Sequence, residues 1–191
     1  MVNTFFVADN VYISASCLDN KRLNKQVVEA LQIYNNIRNL KLLSTHYNIP
    51  FPLNSYSLYA WIRNIISRYK TDINSNPEIK LGFMYHPVIL MWFHYEPALL
   101  HYTYVHRQEC LKRGINNTIT LNWNIHLELS SYPKWSRDPE FLIRHRSKLI
   151  EKNAQFYTPI FPNIPPQLIY FWPYTPKVGT AGIADINQKY K

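Results

Sequence analysis

Glycine is scarce in this chain, at 4 of 191 residues. Phosphate-cradling loops need glycines so that backbone can approach the anion, and neither GxxxxGK[ST] nor GxGxxG occurs, which argues against nucleotide-cofactor readings. Cysteine is scarcer: Cys17 and Cys110 cannot make a disulfide framework, and a four-cysteine zinc site is impossible. The 7 histidines do not fall at a metal-chelating spacing. His101 and His106 come nearest, and they are one residue too far apart, so no metal site is expected. No stretch of about 18 uncharged apolar residues exists, so no membrane span is expected. The start, MVNTFFVADN, lacks a basic region followed by an apolar run. It does not read as a signal peptide, and the expectation is an intracellular protein of the cytoplasm or nucleus.

What is abundant points the other way. Lys and Arg number 21 against 12 Asp and Glu, a net charge of +9 that favours a polyanionic partner, nucleic acid or an acidic membrane. The chain also carries 15 Tyr and 5 Trp. Cations hold phosphate and flat rings stack on displaced bases, so this mixture suits nucleic acid. Hydrophobic residues make up 47%, enough for one globular domain with a real core.

The pattern along the chain is mainly α. Residues 2–11 read as a short extended arm. A helix is expected over 18–43, with Leu23, Val27, Ala30, Leu31, Tyr34, Ile37 and Arg38 along one side and Asp19 or Ser16 as cap. Residues 46–54, with Pro50 and Pro52, form a loop. A second helix covers 55–70 and a polar turn 71–77. A third helical region runs from His86-Pro87 to Arg113, with a kink or restart at Glu96-Pro97. Gly114 caps it, and cations in its last turn complement the dipole. Residues 116–137 read as loop. Asp138 caps a last helix, with Pro139 at its first position, that runs to about 153. The end is irregular and rich in proline and aromatics, and residues 175–191 read as a frayed tail.

Four features could carry chemistry. On the first long helix, Arg22, Lys25 and Glu29 share a face opposite the apolar stripe, flanked by Lys21 and Gln26. Taken alone, Lys25–Glu29 reads best as a solvated i,i+4 pair. The alternative is a carboxylate facing a bound polyanion, which is costly unless chemistry uses it. The second is the N-terminus: small Val2 permits removal of Met1 and would expose an α-amine. Such an amine titrates near 7.7–8.0, so roughly a tenth is free at neutral pH, whereas an ordinary lysine is almost wholly protonated. The competing reading is an N-terminus without a role. The third is RHRSKLIEK, where Arg144, His145, Arg146, Lys148 and Lys152 are either a solvated basic face or phosphate-positioning groups. The fourth is IYFWPY, residues 169–174, a core lid in preference to a stacking platform.

Together these segments resemble a family, the pyrimidine-dimer DNA glycosylases of the phage endonuclease V type, and most closely its bacterial-type branch. The blocks, in order, are NTF (3–5), LDNKRLNKQVVEALQI (18–33), YHPVILMWFHYEPAL (85–99) with ECLKRG (109–114), and HRSKLIEKNAQFY (145–157) with YFWP (170–173). They span most of the chain. The resemblance implies a single compact helical domain over 1–174, with 44–80 as an inserted loop and helix. It implies an enzyme that flips a damaged base from double-stranded DNA and cuts its glycosidic bond, acting as a monomer without metal or organic cofactor.

By the same resemblance, the nucleophile is the α-amine exposed by Met removal, which falls on Val2. The glutamate that assists sugar opening and the later β-elimination falls on Glu29. Lys21, Arg22, Lys25, Arg144, His145, Arg146 and Lys148 become candidate DNA contacts, with His86 and Gln26 as further site candidates; His86, before Pro87 at a helix start, could equally be structural. The chain departs from the family pattern at Val28 and Gln32, where the phage type has arginines, and at Met84 and Tyr85, where the bacterial branch has an arginine–asparagine pair. Two rivals stand beside this reading: a non-catalytic nucleic-acid-binding protein on the same fold, and a glycosylase for another modified base or for RNA. The Asn-, Ile-, Tyr- and Lys-rich composition also fits an AT-rich genome such as that of a large DNA virus.

Overall fold

The structure, a computed structural model, describes residues 5–76, 79, 81–82, 84–119, 131–169 and 172. Among these the chain is helical and has no strand. The helices are α1 (Val11–Ser16), α2 (Asn20–His46), α3 (Ser55–Ser75), α4 (Pro87–Trp92), α5 (Glu96–Lys112), α6 (Pro139–Lys152) and α7 (Ala154–Tyr157), with a 3-10 turn at Lys134–Arg137.

Local chemistry sets most helix starts. Each orphan N–H of a first turn needs an acceptor, and short polar side chains supply it. Asn10 accepts from Tyr12 and Ile13, Asp19 from Arg22, and Asn54 from Ser57. Asp138 accepts from Glu140 at 2.8 Å and Phe141 at 3.3 Å, with Pro139 in the first turn as expected. Gly114 stops the chain after α5 at φ 68°, in the left-handed region where a side chain is disfavoured.

The central pair is α2 against α5. The two run antiparallel: Gln26 meets Tyr102 near one end, and Lys41 pairs with Glu96 at 2.7 Å near the other. Around this pair one apolar core extends from Phe5 to Trp172. Its centre is aromatic. Trp92 stands perpendicular to Trp135 at 5.1 Å, Phe6 lies 5.3 Å from Tyr102, and Trp135 Nε1 donates to Met91 O at 3.0 Å. The N-terminal arm is laid into the core, with Phe5, Phe6, Val7 and Ala8 all buried.

Several expectations are corrected. α3 does not end at Lys70; it continues to Ser75, with a break at Tyr69, because Ile73 packs with Leu43 and Ile65 in a small satellite core. The third helical region, by contrast, restarts at Glu96-Pro97 as expected, after a break at residues 93–95 where His94 takes φ 67°. A short helix, α7, occupies part of the segment read as irregular. On α2, Leu31 and Tyr34 are half-buried and Arg38 is exposed, whereas Gln26, Glu29, Ile33, Asn36 and Leu40 are buried. The helix is enclosed over more than half its circumference, so Glu29 does not lie on a solvated face. Trp172 is a core residue; Val2, the other residues of 170–174 and the tail 175–191 lie outside the described residues.

Candidate functional site

The N-terminal end of α2 carries the site. Asp19 fixes this end: it caps the helix and accepts from the Tyr157 hydroxyl at 2.7 Å, while its own N–H donates to the same hydroxyl at 3.0 Å. Arg113 ties the preceding turn, donating to Leu18 O and Ser16 O, and pairs with Glu109 at 2.8 Å. Arg22, Gln26 and Glu29 then project along one line of α2, one turn apart, as the 3–4 spacing requires.

Glu29 is 6% exposed, and Lys25 Nζ lies 3.4 Å from its Oε1. A third cation joins from α6. Lys152 interacts electrostatically with Arg22, Lys25 and Glu29, and its amine is brought down to about 8. Burial is the main cause, then repulsion from Arg22 and Lys25, opposed by Glu29 and Glu151. One buried carboxylate therefore sits amid three cations. Arg22, Gln26, Lys148 and Lys152 line a narrow pocket with Phe5, Val7, His145 and Leu149. Its volume is about 10 Å³, room for a single water.

The arm forms the pocket wall. Gln26 Oε1 accepts from Phe5 N–H at 3.3 Å and lies 2.9 Å from the Tyr102 hydroxyl, which is also 2.9 Å from Phe5 O. The Phe5 ring stacks on His145 at 4.0 Å and meets Trp172 edge-on at 5.3 Å.

The family model for pyrimidine dimer DNA glycosylases matches residues 2–122. The chain belongs to this family. No curated protein and no solved structure matches the chain. As a member of a DNA glycosylase family, it has DNA as its substrate. The matched span includes the arm, all of α2, and α5, hence Val2, Glu29 and the first group of cations.

The candidate DNA contacts of this glycosylase divide by what already holds them. Lys21 is exposed, and the Arg22 guanidinium has no hydrogen-bond or ion-pair partner among the described residues. Arg144 is engaged by Glu140 at 2.9 Å and by Ile169 O at 3.1 Å. Arg146 donates to Val7 O at 2.6 Å and lies over the Phe161 ring. Both are structural ties first. Lys148 lines the pocket while pairing with Glu151 at 2.7 Å. His145 is 2% exposed, wedged between Phe5 and Phe141, so its ring cannot serve as an outward phosphate contact; it is the surface on which the arm packs. His86 caps α4 by accepting from Val88 N at 3.2 Å, and burial lowers its proton affinity. Lys152 was visible in the sequence only as one more cation on α6. What singles it out is that the last turns of α6 line one pocket with Arg22 and Gln26 of α2, which no local pattern reveals.

Among the described residues no helix is long and apolar enough to cross a membrane, and no group of three or more His, Cys, Asp and Glu side chains could hold a metal ion.

Proposed function

We propose that this glycosylase cleaves the glycosidic bond of a damaged base, a pyrimidine dimer by family, through a Schiff base and then nicks the strand by β-elimination. The observation that carries this reading is Glu29: a buried carboxylate among Arg22, Lys25 and Lys152, beside the clamped N-terminal arm. In a merely structural pair neither the burial nor the excess of cations has a purpose. In a site that receives DNA, the cations meet phosphates and the carboxylate handles protons.

The nucleophile is the α-amine of Val2 once Met1 is removed. Phe5 lies three positions after Val2, a tether of at most about 11 Å. The amine attacks C1′ as the bond to the base breaks, and the electron pair leaves with the base, which takes up a proton. Glu29 takes the proton that the attacking amine sheds and passes it to the sugar ring oxygen as the ring opens. The resulting iminium makes the C2′ hydrogen acidic; Glu29, now a carboxylate, removes it, and the 3′ phosphate leaves. Arg22, Lys25 and Lys21 hold the strand, with Lys148 and Lys152 at the pocket rim. The glycosylase unit is taken as 1–174, acting as a monomer, with α3 and its flanks (44–80) an insertion that reshapes the DNA face.

Reductive trapping tests this. The full chain, with Met1 removal verified by mass, is incubated with abasic or dimer-containing duplex and borohydride. A covalent adduct that disappears when the α-amine is blocked is expected. Lys152 is the second amine with a lowered proton affinity at this site. An adduct that survives blocking and is lost in Lys152→Met would move the nucleophile there and end the Val2 assignment. No adduct and no strand cleavage would favour the non-catalytic binder.

A further inference from the structure

We infer that Gln26 is a positioning residue: its amide oxygen, braced by Tyr102, grips the backbone of Phe5 and sets how far the N-terminal amine reaches toward Glu29. This rests on the Schiff-base reading above and adds to it a device that places the nucleophile.

The residues carry the argument. Gln26 is 3% exposed, and a buried amide must spend its polar atoms well. The atom facing Phe5 N–H has to be the oxygen, because that group can only donate. The Tyr102 hydroxyl completes the grip, shared between Gln26 Oε1 and Phe5 O. Burial, helped by Tyr132 and Glu29 nearby, keeps the Tyr102 proton in place, so the hydroxyl stays a donor. Both backbone polar groups of Phe5 are thus engaged by two helices, α2 and α5. Its ring is held independently by His145 and Trp172. A single residue of the arm, three positions from Val2, is fixed through backbone and side chain, and the glutamine that grips it lies one helical turn from Glu29. The Gln26 amide nitrogen has no partner among the described residues, and Gln26 lines the pocket. A purely structural glutamine buried this deeply would use both ends. Nearby Leu23, Val27 and Ala30 show that apolar side chains fill this part of α2 readily. Proximity is worth large rate factors, and a displacement of about 1 Å can lower a rate about a hundredfold.

The experiment compares wild type, Gln26→Met and Gln26→Glu on a duplex with one preformed abasic site, at saturating protein, with cyanoborohydride. Methionine keeps the bulk and removes the acceptor; glutamate keeps the acceptor. Gln26→Met should trap about 10- to 100-fold more slowly, with a Kd for the same duplex within about threefold of wild type. Gln26→Glu should recover about tenfold or more of that loss. Rate constant and amplitude are read separately: a merely structural role would lower the amplitude, as fewer molecules stay folded, and leave the rate constant of the folded fraction unchanged. A wild-type rate constant in Gln26→Met, or equal slowing in both variants, overturns the positioning role while the Schiff-base reading stands. Absence of any wild-type adduct overturns both.

Discussion

Replacing Glu29 with glutamine separates the salt-bridge reading of α2 from the catalytic one. At 3.4 Å and an effective dielectric of about 20, the gross Lys25–Glu29 attraction is roughly 5 kcal/mol. Most of it is offset by the desolvation of a carboxylate whose side chain is only 8% exposed. The charge left behind on Lys25 is 42% exposed and remains hydrated, so no stranded buried ion results from that partner. A net stability loss of about 1–2 kcal/mol is expected in urea unfolding. Removing one negative charge from a phosphate-binding surface is worth about 0.6 kcal/mol at ~7 Å in water-like dielectric, so the Kd for DNA should hold or tighten two- to threefold. Turnover should fall by about 10² to 10⁴, the range for a general acid–base group, or roughly 3–5 kcal/mol on the barrier. The assay pairs single-turnover cleavage of dimer-containing duplex with fluorescence anisotropy on the same duplex. If Glu29→Gln cleaves at the wild-type rate, the carboxylate is only a salt-bridge partner. If binding and cleavage fall together while the fold survives, it organises the binding surface and the proton-transfer role is refuted.

Lys152 binds its proton at about 8 when folded, below the ~10.4 of an unfolded lysine, so the folded chain sheds it first and gains stability as pH climbs through 8 toward 10.4. The wild-type urea midpoint should therefore rise relative to Lys152→Met between about pH 7.5 and 9.5, and a constant gap would show that the amine titrates normally. Arg22→Ala should weaken DNA binding and reduce the salt slope by about 0.9, whereas Arg144→Ala should leave that slope unchanged and lower the melting temperature; equal slopes for both would refute the division by partners. Arg113→Ala removes charge-assisted bonds to Leu18 O and Ser16 O and should cost about 2–3 kcal/mol, with lysine recovering less than half because it lacks the fork. Asp138→Ala should cost about 1–2 kcal/mol of unfolding free energy through loss of the α6 cap, and a neutral result would mean water replaces it.

Where a boundary is written in local chemistry, the sequence shows it. Asp19 before α2, Asp138-Pro139 before α6 and Gly114 after α5 each act on backbone groups two or three residues away, and all three stand where expected. Boundaries decided by distant contacts were hidden. α3 runs to Ser75 because Ile73 finds Leu43, a residue about thirty positions away, and propensity carries no word of that. The same limit explains Glu29. A helical wheel sorts residues into one wet side and one dry side, which suits a surface helix. α2 is packed by α5, by α4 and by the N-terminal arm, so the line Arg22–Glu29–Ile33–Leu40 turns inward after its first turns.

The basic run on α6 teaches the complementary lesson. In sequence Arg144, Arg146, Lys148 and Lys152 are equivalent positive charges with equal claims on a phosphate. In the fold their partners rank them. Arg146 gives its Nε to Val7 O, so its charge secures the arm. Arg144 is split between Glu140 and Ile169 O, so moving it onto DNA would first break its bonds to both. Lys148 pairs with the Glu151 side chain, an exchangeable partner, at the pocket rim. Lys152 is drawn inward to the same charge cluster as Glu29, where burial first and then repulsion from Arg22 and Lys25 lower its hold on its proton. A phosphate entering this cluster would raise the proton affinity of Lys152, because the added negative charge opposes the repulsion that lowers it. Substrate binding and the protonation of Lys152 are therefore coupled, and DNA affinity should fall more steeply as pH rises through about 8 in the wild type than in Lys152→Met. A pH-independent Kd across that range would show that phosphate bypasses the cluster.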